Sequence, residues 1–152
     1  MIQIQTPITT STFNGMWVTN LGIFFPTVEK PHGLIAGNLA PYDGTHLLLT
    51  GGKRLFISNL AAKLASDATL ATIMNALKAE VKRQASKTVE PKFVTVNAYD
   101  PARPVTAQVG FVDGSIHTVS NCFALAATNP AFAGVFSGTM GEIARQAGLT
   151  VV

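Results

Sequence analysis

Cys122 stands five residues after His117, where a thiol and an imidazole lie near each other along the chain. Such a pair can act as nucleophile and base, provided a third group orients the imidazole and the thiolate is accessible. Its setting, Asn121-Cys122-Phe123-Ala124-Leu125, is an apolar helix start, and a single cysteine there reads as core. His32, His46 and His117 are too widely spaced for a zinc site, which draws ligands from short-spaced pairs. Thr50-Gly51-Gly52-Lys53-Arg54 has the look of a phosphate loop but lacks the four residues between glycines and the hydroxyl after lysine. Asp43, Asp100 and Asp113 each sit in a turn, where aspartate is wanted for backbone reasons. No catalytic, cofactor-binding or metal-binding residue is therefore assigned, and the chain reads as a non-enzyme.

Two clusters remain. Lys78, Lys82, Arg83 and Lys87 crowd the end of one helix, where they could meet phosphates. No aromatic residues interleave them, so the expectation is a solvated or subunit-facing surface and no nucleic-acid partner. The second cluster is less ordinary. In the last helix Phe132, Phe136, Met140 and Ile143 span about 80° of one face, a core stripe. Gly134, Gly138, Gly141 and Arg145 share the opposite side within about 60°. Each interior glycine costs ~1 kcal/mol relative to alanine, so three exposed ones cost ~3 kcal/mol with no return. Small residues at this spacing make sense where another backbone approaches closely. These four residues are the candidate interface, with the helix expected to be buried on two sides, by a second chain or by a strand or loop of the same chain.

Composition points the same way. Only 12% of the 152 residues are charged against 47% hydrophobic, about half the ~25% charge of an ordinary soluble domain. One cysteine excludes a disulfide scaffold, and the hydrophobic content excludes disorder. No apolar run approaches the ~18 residues of a membrane helix, and Met1–Thr10 lacks the features of a signal peptide, so no membrane partner is expected. The net charge of +3 arises in the middle: residues 53–92 carry eight bases and three acids. Interface cores are depleted in charge, so a charge-poor surface suits a chain that lives inside an assembly.

The elements that must position these residues alternate between β and α patterns. Trp17, Leu21, Ile23 and Phe25 share one face of a first strand at period two. A second strand covers Leu34–Leu39, and His46–Thr50 and Lys53–Ile57 flank Gly51-Gly52 as a tight hairpin. Ser66 caps a helix whose stripe is Leu70, Ile73, Met74, Leu77 and Val81. Residues 86–92 read as a connection. Strands follow at Phe93–Ala98, Val105–Val112 and Ile116–Val119, with Asp113-Gly114 as a turn. A helical segment at Phe123–Ala127 precedes the last helix, opened by Asn129-Pro130 and stopped at Gly148. The expected class is α+β, antiparallel hairpins or a meander with amphipathic helices packed on one side. The division is 1–86, a β-rich half ending in a helix, and 93–152, a three-strand meander plus helix, the two forming separate units or one compact domain. The halves share this order with no visible residue-level repeat.

Trp17-Val18-Thr19-Asn20-Leu21, Ala40-Pro41-Tyr42-Asp43-Gly44-Thr45 and Gly51-Gly52-Lys53-Arg54, with the helix at Asp67–Ser86, resemble small proteins encoded among the structural genes of tailed bacteriophages. The resemblance spans roughly the first 85 residues, and its motifs are turns and strands of low specificity. It implies a non-enzymatic virion part of the tail, baseplate or fibre-attachment region, made in the host cytoplasm. Its partners would be other virion proteins and copies of itself, with no cofactor and no small-molecule substrate. The alternative is a small oligomeric α+β binding module or enzyme with a site between chains.

Overall fold

The computed structural model describes residues 15–42, 52–98, 105–120, 122 and 129–148. Strands β1 (Gly15–Phe24), β2 (Leu34–Tyr42) and β3 (Lys53–Ile57) lead into helices α1 (Leu60–Ser66) and α2 (Ala68–Ala85). Strands β4 (Pro91–Asn97), β5 (Thr106–Phe111) and β6 (Ile116–Val119) lead into α3 (Pro130–Gln146). All six strands form one antiparallel sheet in the order β3-β2-β1-β4-β5-β6. The fold is α+β, and β1 pairing with β4 joins the two halves of the chain.

Period-two alternation builds the buried face. Register places Leu55, Gly37, Leu21, Val96, Ala107 and Val119 in one row across the sheet. Ile57, Ile35, Ile23, Val94, Val109 and His117 form the next row. Leu70, Met74, Leu77 and Val81 of α2 and Phe132, Phe136 and Ile143 of α3 join these residues in one core. Full burial stabilises each such side chain by roughly 1.5–3 kcal/mol, so both helices are held by their apolar stripes rather than by propensity.

Several local expectations change. Asp67, not Ser66, caps α2: its backbone is extended and its side chain accepts from the Leu70 N–H. Ser66 instead closes the extra helix α1, donating its hydroxyl to the Lys63 carbonyl. Strand β4 starts at Pro91, within the expected connection, because a bulge lets Pro91 pair with Phe111. β3 pairs with β2, Leu39 opposite Lys53, rather than being shown in a hairpin with His46–Thr50, which lies outside the described residues. The turns at Asp43 and Asp100 and the segment Phe123–Ala127 also lie outside them. The turn at Asp113-Gly114 is present: Gly114 has φ +88°, and Asp113 accepts from the Ser115 N–H.

The absence of a repeat is overturned. Each half is a three-strand meander followed by a long helix, and Gly22 opposite Thr95 marks the centre of the β1–β4 pairing. A pseudo-twofold axis through that point exchanges β1 with β4, β2 with β5, β3 with β6 and α2 with α3. Residues 58–86 then match 120–148 without a gap at a constant separation of 62. Nine of these 29 positions are identical: Ser58, Asn59, Ala62, Ala65, Ala71, Glu80, Arg83, Gln84 and Ala85 recur at 120, 121, 124, 127, 133, 142, 145, 146 and 147. Leu60 matches Cys122, both 0% exposed, and the helix-ending Ser86 and Gly148 both have positive φ.

Candidate interface

The α3 helix is built as its sequence requires. The Asn129 side chain accepts from the Phe132 N–H, Pro130 occupies the first turn, and Gly148 follows the end with φ +84°. Phe132, Phe136 and Ile143 are buried and Met140 is half-buried. On the other side Gly134 and Gly138 are exposed and Gly141 is half-buried. A Cβ built at any of the three meets no described atom outside the helix's own backbone within 4 Å. No described strand or loop of the same chain covers this side of the helix.

The internal repeat supplies a control for these glycines. Their counterparts in α2 are Thr72, Ala76 and Ala79, all exposed. The same fold thus accepts a Cβ at each equivalent position, so packing within the chain does not require glycine. The loss of helix stability in α3, about 1 kcal/mol per glycine, has no compensation inside the described chain.

Arg145, the fourth residue of the candidate set, has partners within the fold. Its Nη2 donates to both oxygens of Asp67 at 2.9 Å, and its Nε donates to Glu142 Oε1 at 2.6 Å. Gln146 Nε2 donates to Asp67 at 3.0 Å and to Glu142 at 2.8 Å. The pseudo-twofold partner repeats the device: Arg83 donates to Glu80 and through Nη2 to Asn129 Oδ1 at 3.1 Å. Each long helix therefore carries a Glu-x-x-Arg segment near its end whose arginine reaches the N-cap side chain of the other, antiparallel helix. The two ties staple the helix layer at both ends.

Hydrogen bonds from Gln146, the Leu70 N–H and Arg145 hold the Asp67 carboxyl well below the usual carboxylate range. Arg83 lowers Glu80, Lys82 lowers Glu90, and Ser115 with Lys87 brings Asp113 to about 2. All four pKa values are depressed, so their stabilisation is complete above the unfolded value near ~4 and is lost as pH falls below it. Asp67→Asn places at the cap of α2 the residue that caps α3, keeping the N-cap acceptor while removing the charge. The expected result is a lower thermal midpoint at pH 7 and a shallower fall between about pH 4 and pH 2 than in the native chain. Parallel melting curves over that range would show that the charge on Asp67 does not contribute.

The second open surface is the sheet face away from the helices. One row there runs Phe56, Ala36, Gly22, Thr95, Gln108 and Thr118, and the next runs Arg54, Asn38, Asn20, Asn97 and Thr106. Arg54, at one corner, is the sole charged side chain of the two rows. A third row holds Leu34, Phe24, Phe93, Gly110 and Ile116. The Phe93 ring lies across Gly110, where a Cβ would fall 2.1 Å from it. Phe24, Phe56 and Ile116 remain 40%, 57% and 62% exposed.

The other sequence candidates disperse. The Cys122 thiol is buried, with Sγ 3.4 Å from the Val119 carbonyl, and burial pushes its pKa up, the opposite of an activated nucleophile. His32 sits in the β1–β2 connection and His117 on β6; His46 lies outside the described residues. Of the basic cluster, Lys82 pairs with Glu90, Arg83 with Glu80 and Lys87 with Asp113. Lys78 Nζ stands 5.7 Å from the centroid of the Phe25 ring. No group of three or more potential metal-ligating side chains occurs among the described residues.

Fold and surfaces together define a duplicated three-strand-plus-helix protein with a stapled helix layer and two open faces of low charge. No protein-family model, no curated protein and no solved structure matches the chain.

Proposed function

We propose that this chain is a structural subunit that acts by forming interfaces, in the manner of tail, baseplate or fibre-attachment proteins of tailed-phage virions. Its partners are copies of itself and other virion proteins, and nucleic acid is not among them. One observation carries the reading: α3 presents three glycines that no described residue covers, where its internal counterpart α2 carries threonine and alanine. A helix face that gives up propensity without an internal reason suits the close approach of another subunit's backbone. The low charge of the chain and the open sheet face support the same reading. The carboxylates of Asp67, Glu80, Glu90, Asp113 and Glu142 all sit in ion pairs, a use of charge for cohesion.

Size-exclusion chromatography with light scattering on the native chain and on Gly138→Leu tests it. The native chain is expected to exceed the mass of one copy. The leucine variant is expected to run as a folded monomer, because its side chain enters space that no described atom of the same chain occupies. A native monomer, or a variant with the native assembled mass, would overturn the proposal that this face associates.

A further inference from the structure

An open cleft of about 720 Å³ lies at one end of the sheet, lined by no residue of α3. Its floor is aromatic. Phe24 and Phe93 are register partners across the β1–β4 junction, their ring centroids 5.9 Å apart, and Leu34 continues the row. Its wall is the β1–β2 connection, which carries Lys30 and His32; Lys92 approaches from β4.

The wall is pinned rather than loose. Thr27 N–H donates to the Lys30 carbonyl at 2.9 Å, and Lys30 N–H donates to Thr27 Oγ1 at 3.1 Å. The His32 carbonyl accepts from Ala61 N–H at 2.8 Å, which ties the connection to the start of α1. The cleft is therefore formed before any ligand arrives, and its volume lies in the ~300–1,000 Å³ range of small-molecule sites.

The charge pattern selects the ligand. Among the described residues every carboxylate except Glu29 is held in an ion pair. Lys30 and Lys92 have no acidic partner among them, and both line this cleft together with Glu29, the single acid on its rim. Two lysines against one acid in the lining of a cleft that also holds Phe24 and Phe93 suit a molecule with an anionic head and an apolar body. We infer that this cleft binds a small amphipathic carboxylate, its hydrocarbon part laid on Phe24 and Phe93 and its head held by Lys30 and Lys92. The site is a binding site without turnover and is independent of whether the chain assembles through α3.

Isothermal titration of the full chain with octanoate, octanamide and inorganic phosphate separates the contributions. Octanoate is expected to bind saturably, and octanamide, with the same body and no charge, about tenfold more weakly, the scale of one charge-assisted hydrogen bond. Phosphate, a head without a body, is expected to bind more weakly than octanoate. The double variant Lys30→Gln/Lys92→Gln changes two exposed side chains and is expected to stay folded while binding octanoate no better than octanamide. No saturable octanoate binding by about 1 mM ligand would overturn the inference, as would equal affinity for octanamide or phosphate. A double variant with native octanoate affinity would overturn it as well.

Discussion

Gly33→Ala is expected to remove about 2–5 kcal/mol of stability through strain at a single backbone position. Gly33 has φ +64°, a conformation that costs an L-residue roughly 1–2 kcal/mol. A Cβ there would lie 2.5 Å from the Phe24 carbonyl oxygen and 2.9 Å from the Pro26 nitrogen. Both are main-chain atoms and cannot swing aside as a side chain does, so overpacking adds about 1–3 kcal/mol. Gly114→Ala is the matched control: φ is +88°, but nothing lies within 4 Å, so only the conformational part is expected. Urea titration of both variants reads the difference. A Gly33→Ala loss no larger than that of Gly114→Ala would show that the β1–β2 connection shifts to make room.

The opposite sign is expected on α3. The triple variant Gly134→Ala, Gly138→Ala, Gly141→Ala should stabilise the isolated chain by about 2–3 kcal/mol, since each glycine costs up to ~1 kcal/mol in a helix interior. Alanine also narrows the unfolded ensemble, which works in the same direction. Space is available at all three sites, and Ala76 and Ala79 show that the equivalent helix accepts methyl groups at two of the matching positions. Urea titration at concentrations where the chain is monomeric measures the effect without contributions from assembly. Unchanged or reduced stability would mean that the glycines are already engaged within the chain, and the argument for an external partner on this face would fall.

The boundaries of α3 were legible because its signals are local. Asparagine as cap, proline in the first turn and glycine after the end each act through the neighbouring backbone, and all three are in place. The stripes of α2 and α3 and the alternation in β1, β4 and β5 were readable because periodicity mirrors burial. Asp67 was harder: Ser66 and Asp67 are both good caps, and the choice depended on α1, whose short Leu60–Ser66 run carries no distinctive periodicity. The duplication is hidden from any fixed-period comparison for a geometric reason. Exchange about the β1–β4 centre relates residues 73 apart in β1 and β4, 72 apart in β2 and β5 and 62 apart from β3 onward, because the connections between strands differ in length. No single period runs through the chain, although Ala79-Glu80-Val81-Lys82-Arg83-Gln84-Ala85 and Gly141-Glu142-Ile143-Ala144-Arg145-Gln146-Ala147 were there to be compared.

Sequence by itself determined the α+β class, most of the elements, the core stripe of each long helix and the anomaly of three glycines on one face. These follow from patterns within a few residues, where side-chain period and backbone preference act directly. Only the tertiary structure decided that β1 and β4 join the halves into one sheet. It alone brought Arg145 to Asp67, 78 residues away, and Arg83 to Asn129, 46 residues away. It also left the glycine face uncovered among the described residues and gathered Lys30 and Lys92 beside Phe24 and Phe93. Each of these depends on which strand edge finds which partner, and that choice is made by the summed burial of a whole sheet face rather than by any local signal.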